Sequence, residues 1–517
     1  MSWQDEADEL ARKRARARAQ GGAEAVARQH EKGRLTIRER VAAMVDEDSF
    51  REIGATAGES ERDEAGDLTG FTPANFVLGF GAVDGRRCVV GGEDFTLAGG
   101  SPNEAGLRKS IYAEHLACQY RVPLIRLHEG AGGSVTGPGS KKAPPSGQPV
   151  YAPPRFQSVG QAMGTVPVCT AALGAVAGLP ASRLVASHFS VMTENSLVLV
   201  AGPALVARAL RKQQSKEALG GPQVHARNGV VDNLVTDEAA AFAEIRRFLS
   251  YMPTNVWEPL PRGPADDVPD RRAEELIEIV PRNRRRLYDM RRVIALVFDE
   301  GSFFEIGRLY GPGIIAGFAR LRGYPVGIFA NDCWHLAGAM TAAGAQKTRR
   351  FIELCDTFHM PIVSLVDEPG FMIGADAEQA GTIRFGTAAV LAAAGASVPW
   401  ATVLVRKVHG VAAVAHFGPD AFVVAWPSVE MGALPVEGGV AVAFGRAIAQ
   451  ADDPAAERER LEAEMLARQS PEHRADTFTI HEMIDPRETR PVLCEWIERS
   501  RPLLPHLAGP RHFPVRP

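Results

Sequence analysis

Ser49-Phe50-Arg51-Glu52-Ile53-Gly54 returns later in the chain as Ser302-Phe303-Phe304-Glu305-Ile306-Gly307, each time behind an Asp-Glu pair (Asp46-Glu47, Asp299-Glu300) and an apolar stretch. Self-similarity at so long a period argues for a duplicated domain and against a short solenoid repeat. Farther along, a second constant spacing pairs Gly79-Phe80 with Gly317-Phe318, Gly85 with Gly323, Asp94 with Asp332, Gly100 with Gly338, Ala105-Gly106 with Ala343-Gly344, Lys109 with Lys347, Leu116 with Leu354, Pro123 with Pro361 and Glu129 with Asp367. Chance does not supply that many gap-free matches. After another length change, Pro167, Thr170 and Gly178 fall opposite Pro399, Thr402 and Gly410. The chain therefore reads as two copies of one domain.

The segment from Glu258 to Asp270 is rich in proline and charge and lacks both helical and strand periodicity, so it is read as the junction. This gives a charged N-terminal helix over residues 1–32, a first domain over 33–262 and a second over 263–517. Inside each copy, Arg87 to Val90 and Val326 to Phe329 are strand candidates, while Glu104 to Tyr120 and Ala342 to Phe358 carry helical periodicity. Branched apolar runs from Val122 to Leu127 and from Pro361 to Val366 read as buried strands of an α/β sheet. Thr387 to Val405 is uncharged but divided by Pro399, which predicts a buried helix and then a buried strand, not a membrane span.

With 517 residues and 45% hydrophobic content, the chain can fill more than one core. The 58 basic and 62 acidic residues leave a formal charge of −4, and no global basic field invites nucleic acid. Cys88, Cys118, Cys169, Cys333, Cys355 and Cys494 are scattered without a CxxC pair, which argues against a zinc ribbon or a disulfide framework. Near the N-terminus Glu6, Asp8, Glu9 and the basic run from Arg12 to Arg18 leave no apolar signal segment. A cytoplasmic protein that holds no metal and meets neither nucleic acid nor membrane is expected.

Ligands of α/β sheets sit at the carboxyl ends of strands. Two loops there recur in both copies: His128-Glu129-Gly130-Ala131-Gly132-Gly133 with Asp367-Glu368-Pro369-Gly370-Phe371, and Val176-Ala177-Gly178-Leu179 with Val408-His409-Gly410-Val411-Ala412. Converging glycine turns of this kind can present backbone N–H groups to an oxygen that gains negative charge, an oxyanion hole. The residues offer no Ser-His-Asp set and no metal-ligand set. His128 and His409 beside the loops read as structural. Lys109 reads either as a contact to ligand phosphates or as part of a solvated helix face, and its counterpart Lys347 reads as solvated. Lys141-Lys142 and Arg211-Lys212 read as surface charge.

The segments GRLTIRERVAAMVDEDSF (33–50), GGEDFTLAGGS (91–101), Glu217-Ala218-Leu219-Gly220-Gly221 with His225 and Gly229-Val230-Val231-Asp232, GFARLRGYPVGIFAND (317–332), FIELCDTFHMPIVSLVDEPGF (351–371), IRFG (383–386) and LVRKVHG (404–410) resemble the carboxyltransferase (β) subunits of biotin-dependent acyl-CoA carboxylases, the propionyl-CoA type above all. The likeness runs from about Gly33 to about Gly445. It implies two tandem crotonase-like (ClpP/crotonase superfamily) domains, acyl-CoA on the first and carboxybiotin on the second, with the active site formed between the first domain of one chain and the second of another. It also implies a dimer-based homo-oligomer, commonly a hexamer.

Carried over, Gly132, Gly133, Gly178 and Leu179 would polarise the thioester carbonyl, and Gly370, Phe371, Gly410, Val411 and Ala412 would surround the ureido oxygen of biotin. In the family no protein base is needed, because the biotin ureido anion removes the α-proton. The chain has no biotinyl Met-Lys-Met motif and no ATP-grasp segment, so a biotin carboxylase and a biotin carboxyl carrier are the expected partners. It departs from the family where AGGA becomes Ala177-Gly178-Leu179-Pro180 and where GGAYD becomes Gly410-Val411-Ala412-Ala413-Val414. Ala413 and Val414 then stand where the family's acyl choice is set, which predicts an apolar, roomier wall. The competing readings are a biotin-dependent decarboxylase subunit, a lyase with Glu129 or Asp367 as acid/base, and a noncatalytic scaffold.

Overall fold

Each half opens its sheet with a hairpin. Phe76–Val83 pairs antiparallel with Arg86–Glu93, and Ile314–Leu321 with Tyr324–Asn331. Their two-residue turns, Asp84-Gly85 and Arg322-Gly323, have positive φ at both positions (50° and 77°, 54° and 78°), the geometry that matches strand twist. The computed structural model describes residues 2–132 and 156–511.

The repeated residues make repeated bonds. Asp46 accepts the amides of Asp84 and Gly85 (3.0 and 2.8 Å), and Asp299 accepts those of Arg322 and Gly323 (3.2 and 2.7 Å). Ser49 and Ser302 hydroxyls accept the amides of Ala82 and Arg320. Lys109 Nζ donates to the Gly54 carbonyl (3.2 Å), and Lys347 Nζ to that of Gly307 (2.8 Å). Lys347 is buried, with a second bond to the Ile314 carbonyl at 2.6 Å. This corrects its reading as a solvated residue: two carbonyls replace the water around its ammonium.

Parallel strands extend each hairpin in the same order. In the first unit the sheet runs Arg51–Glu52, Phe76–Val83, Arg86–Glu93, Leu124–Gly130, Val168–Ala177, Phe189–Thr193, Asn233–Val235, with Leu197–Leu199 also pairing Val168–Ala177. In the second it runs Phe304–Glu305, Ile314–Leu321, Tyr324–Asn331, Ile362–Glu368, Trp400–His409, Phe422–Ala425, Glu482–Met483, with Glu430–Gly432 beside Trp400–His409. One compact unit runs up to Glu258 and the other begins at Pro259.

Helices cross over between parallel strands, as such pairing requires. Glu104–Tyr120 begins at Asn103, whose side chain accepts the Gly106 amide, and ends at left-handed Arg121. Ala342–Thr357 begins at Thr341, which accepts the Gly344 amide. In the second unit the core gathers Val293, Ile294, Ile328, Val363, Val403 and Trp426, whose indole N–H donates to Thr489 Oγ1. Each such buried aliphatic side chain contributes roughly 1.5–3 kcal/mol.

Two element expectations need correction. The N-terminal charged segment forms two helices, Gln4–Arg18 and Ala23–His30, parted where Gly21 packs against the Thr96 carbonyl and Gly22 takes φ +88°. The helix ahead of Pro399, Thr382–Gly395, buries Thr382 and a stripe of small residues, Gly386, Ala389 and Ala393, and leaves Leu391 65% exposed. Lack of charge in a sequence does not place a residue inside. Among the described residues no helix is long and apolar enough to cross a membrane.

Candidate active site

In the first unit the strand Leu124–Gly130 shifts register between His128 and Gly130 and leads into Ala131 and Gly132. The neighbouring strand Val168–Ala177 leads into Gly178, with φ +65° and ψ −128°, and then the helix Leu179–Val185. The two loops touch at their glycines: a Cβ built on Gly178 would lie 2.9 Å from the Gly132 Cα, and one on Gly132 would lie 3.4 Å from the Gly178 Cα. Only glycine at 178 fits both the dihedrals and the contact. Gly133 lies outside the described residues, as do Lys141 and Lys142.

The loop before Glu104 supports this junction. Ala98, Gly99 and Gly100 are successive left-handed residues (φ 53°, 62°, 68°); the Gly99 carbonyl accepts the Ala131 amide at 2.9 Å, and Ser101 Oγ donates to the Gly132 carbonyl at 3.0 Å. Leu336, Ala337 and Gly338 repeat the turn in the second unit (φ 49°, 56°, 87°). There Pro369 has no N–H, and Lys407 Nζ fills its place on the Ala337 carbonyl at 2.9 Å. Left-handed non-glycine residues cost of order 1–2 kcal/mol each. With Ala131 fixed by the turn, the first-unit amides without an acceptor among the described residues at the glycine contact are those of Gly132, Gly178 and Leu179.

In the second unit, Gly370 (φ +123°) approaches the His409 carbonyl, its nearest neighbour at 3.9 Å from a built Cβ. The Gly370 amide donates to Glu368 Oε1 (2.9 Å), and the Gly410 amide donates to the Gly432 carbonyl (3.3 Å). These two glycines therefore shape the loops, while the amides of Phe371, Val411 and Ala412 have no acceptor among the described residues. Val411 and Val414 are 60% and 48% exposed. The Ala413 methyl, expected at the acyl wall, is buried with Val366, Leu404 and Val408 on the inner side of the short 3-10 turn after Val411.

The carboxylates at the strand ends are locked. Glu129, fully buried, pairs with Arg34 (2.9 Å) and Arg40 (2.7 Å) and accepts from Gln29. Arg40 also grips Glu238. Gly174 makes room, since a Cβ there would fall 2.2 Å from Glu129 Oε1. Asp367 accepts Tyr288 OH (3.1 Å) and the Lys407 amide (3.0 Å) and lies 3.5 Å from Arg406 Nε. Both carboxylates are held by cations inside the fold, which argues against the acid/base roles considered for Glu129 and Asp367. His128 Nδ1 lies 3.1 Å from Glu93 Oε2, and His409 Nδ1 3.4 Å from the Gly432 carbonyl. Burial lowers the His409 pKa, leaving a neutral ring. Burial brings Lys109 down to about 8, while its ammonium bonds to Gly54 in the same way as its repeat partner bonds to Gly307.

Sequence reasoning missed a polar cluster near Leu179. Glu114 accepts from Arg126 Nη2, Arg183 Nε (2.7 Å) and Ser158 Oγ (2.5 Å). Burial pushes Arg126 down to about 10. Its signal was present: an arginine within the apolar strand Leu124–Gly130 is buried only if paired. The matching second-unit residue, Ser364, instead faces His416 Nδ1 at 2.6 Å.

The family described as the carboxyl transferase domain matches residues 28–501. The chain is 34% identical over 497 residues to the propionyl-CoA carboxylase carboxyltransferase subunit of Haloferax mediterranei, covering 95% of both chains. It is 30% identical over 502 residues to the methylmalonyl-CoA decarboxylase subunit alpha of Veillonella parvula, covering 95% of this chain and 94% of that one. Among solved structures, transcarboxylase 12S, a hexamer with methylmalonyl-CoA and methylmalonic acid bound, matches with a TM-score of 0.86 at 28% identity, covering 100% of this chain and 97% of the other. The likeness spans both units, in agreement with the tandem crotonase-like α/β domains expected from the duplication.

Proposed function

The chain belongs to the carboxyl transferase domain family and is a carboxyltransferase of the acyl-CoA carboxylase type; from that premise we propose that it moves a carboxyl group from carboxybiotin, borne on a separate carrier protein, to the α-carbon of an acyl-CoA. The observation that supports this most is the recurrence, at matching strand ends of both units, of a glycine turn paired with a second glycine turn and leaving backbone amides open.

Acyl-CoA is assigned to the first unit. The Leu179 amide, in the loop fixed by the Gly132–Gly178 contact, donates to the thioester oxygen as that oxygen gains charge. The second unit takes biotin, whose single ureido oxygen suits the amides of Phe371, Val411 and Ala412. Carboxybiotin supplies carbon dioxide and, in the released ureido anion, the base for the α-proton. The enolate held by the first-unit loop then attacks carbon dioxide; a C–C bond forms and the α-proton stays on the ureido nitrogen. One preorganised donor of this kind is worth roughly 2.7–4 kcal/mol of transition-state stabilisation. Val414 and Val411 are assigned to an apolar wall facing the acyl group.

The relative from Veillonella parvula favours a second reading, the same loops running the reaction backwards by decarboxylating a carboxylated thioester. The setting proposed is cytoplasmic, with a biotin carboxylase and a carrier as partners and with chains joined as a dimer-based hexamer like that of transcarboxylase 12S. The test is reconstitution: purified protein, a biotinylated carrier with its carboxylase, ATP, bicarbonate and a panel of acyl-CoAs. Net acyl-CoA carboxylation by a particle whose mass is an even multiple of the chain is expected. Activity in a stable monomer would overturn the shared site, and carboxylated-thioester breakdown with no forward reaction would favour the second reading.

A further inference from the structure

The two second-unit loops assigned to the ureido oxygen are rooted in side chains that approach each other. Glu368 stands at the root of the first: its Oε1 accepts the Gly370 amide (2.9 Å) and its Oε2 the side-chain amide of Asn331 (2.9 Å). His416 closes the 3-10 turn that Val411 and Ala412 begin. Its Nε2 lies 3.7 Å from Glu368 Oε2, and its Nδ1 lies 2.6 Å from Ser364 Oγ. Glu368, His416 and Ser364 are all fully buried.

The shared fold does not demand this pair. Gly130 stands in the first unit where Glu368 stands in the second, each just past the register shift of its strand. Leu184 stands where His416 does: the Thr170 hydroxyl donates to the Leu184 carbonyl at 2.8 Å, and the Thr402 hydroxyl to the His416 carbonyl at 2.8 Å. One copy thus fills this corner with leucine and the other with an imidazole, whose burial beside a carboxylate carries a desolvation cost that leucine does not. His416 is held firmly, since its carbonyl also accepts the Trp400 indole N–H (3.0 Å) and its ring stacks on Phe329 with centroids 4.8 Å apart. Its Nε2 has no hydrogen-bond partner among the described residues but lies within ion-pair distance of Glu368. Glu368 meets no lysine or arginine among the described residues, unlike its neighbour Asp367.

By fixing the Gly370 amide, Glu368 sets the direction of the next one, that of Phe371. The Gly370 carbonyl accepts the Met340 amide (3.1 Å) and the Met340 carbonyl the Met372 amide (2.9 Å), so the backbone is tied on both sides of Phe371. The Phe371 ring lies against Gly386, where a built Cβ would fall 2.3 Å from it. We propose, on the premise that the second unit takes biotin, that Glu368 and His416 are positioning residues for carboxyl transfer: their contact keeps the Phe371 amide on one loop and the Val411 and Ala412 amides on the other at the spacing that a single ureido oxygen needs. Donors held by a buried network need no reorganisation as charge develops, and a displacement of about 1 Å at such a site costs on the order of a hundredfold in rate.

The test compares wild type with His416→Leu, which carries the first unit's residue, with Glu368→Ala, and with the conservative Glu368→Gln, which keeps an oxygen for the Gly370 amide. On the full-length protein, carbon dioxide release from a carboxybiotin carrier is followed in a single turnover without acyl-CoA. In the reconstituted reaction kcat and KM for the carrier are measured, and calorimetry gives the acyl-CoA dissociation constant. His416→Leu and Glu368→Ala are expected to slow release and lower kcat tenfold or more, with the carrier KM and the acyl-CoA dissociation constant within about threefold of wild type, and Glu368→Gln should recover release to within about threefold. If either of the first two variants does not fold, His416→Asn replaces it; it keeps a polar group at Ser364, withdraws the one facing Glu368, and should show the same tenfold loss. Release at the wild-type rate in the folded variants overturns the proposal, and so does a loss of kcat matched by an equal loss of acyl-CoA binding, the pattern of general structural damage. Weakened acyl-CoA binding with normal release overturns it together with the assignment of the two units. A wild-type protein that neither releases carbon dioxide from the carrier nor carboxylates any acyl-CoA overturns the carboxyl-transfer reading itself, and the proposal with it.

Discussion

Gly178→Val should lower acyl-CoA carboxylation by a hundredfold or more in the reconstituted system. Valine must adopt φ +65° with ψ −128°, and its Cβ would sit 2.9 Å from the Gly132 Cα, so the two loops cannot keep their contact. The Leu179 amide is the residue after Gly178 and moves with it. Loss of one oxyanion donor costs roughly 2.7–4 kcal/mol, about a hundred- to a thousandfold in rate, and the loop displacement adds to that. A β-branched residue at positive φ also costs stability, of order 1–3 kcal/mol, so the variant is assayed well below its melting temperature. The informative split is between half-reactions: release of carbon dioxide from the carboxylated carrier should survive, since the loops assigned to it are in the second unit. Near-normal carboxylation by the folded variant would mean that the first-unit hole is elsewhere.

Glu129→Gln separates a structural carboxylate from a catalytic one. Glu129 is wholly buried between Arg34 and Arg40, and Arg40 is itself buried. Removing one partner of such a pair leaves an uncompensated buried charge, at a cost of roughly 3–5 kcal/mol. Glu238 still accepts from Arg40, which keeps the loss near the lower end. At roughly 2–4 °C per kcal/mol for a unit of this size, the thermal midpoint of the first unit should fall by about 10 °C. Turnover of the protein that remains folded at low temperature should stay within a few-fold of the wild type. A 10²–10⁴-fold fall in kcat with the melting curve unchanged, the pattern of a lost general acid or base, would restore the lyase reading.

The duplication was legible because it rests on turns and caps whose chemistry is local. Asp46 and Asp299 recur because each accepts the amides of a two-residue turn, and Gly85 and Gly323 recur because those turns need positive φ. The helix Glu104–Tyr120 was readable to the residue, since Asn103 caps it and Arg121 ends it. Burial of charge was not legible. Periodicity treats a lysine or arginine as an outward residue, but Lys347 finds carbonyls at Gly307 and Ile314, and Arg126 and Arg183 share Glu114, partners that only the folded sheet brings near. The same limit explains Ala413, which shares its turn with exposed Val414 but faces the core cluster. In the site, the glycines were legible as turns, while which amides remain open depended on Glu368 and Gly432 accepting those of Gly370 and Gly410.

Transfer of a labelled carboxyl group in a single turnover tests the central claim most directly. A carrier charged with [¹⁴C]carboxybiotin is freed of ATP and bicarbonate and mixed with the protein and a panel of acyl-CoAs, and the label is followed into acid-stable carboxylated thioester and into carbon dioxide. Label is expected on the α-carbon substituent of at least one acyl-CoA, and only when the protein and the acyl-CoA are both present. Label that appears solely as carbon dioxide, or that stays on the carrier whichever acyl-CoA is added, would contradict carboxyl transfer by this chain.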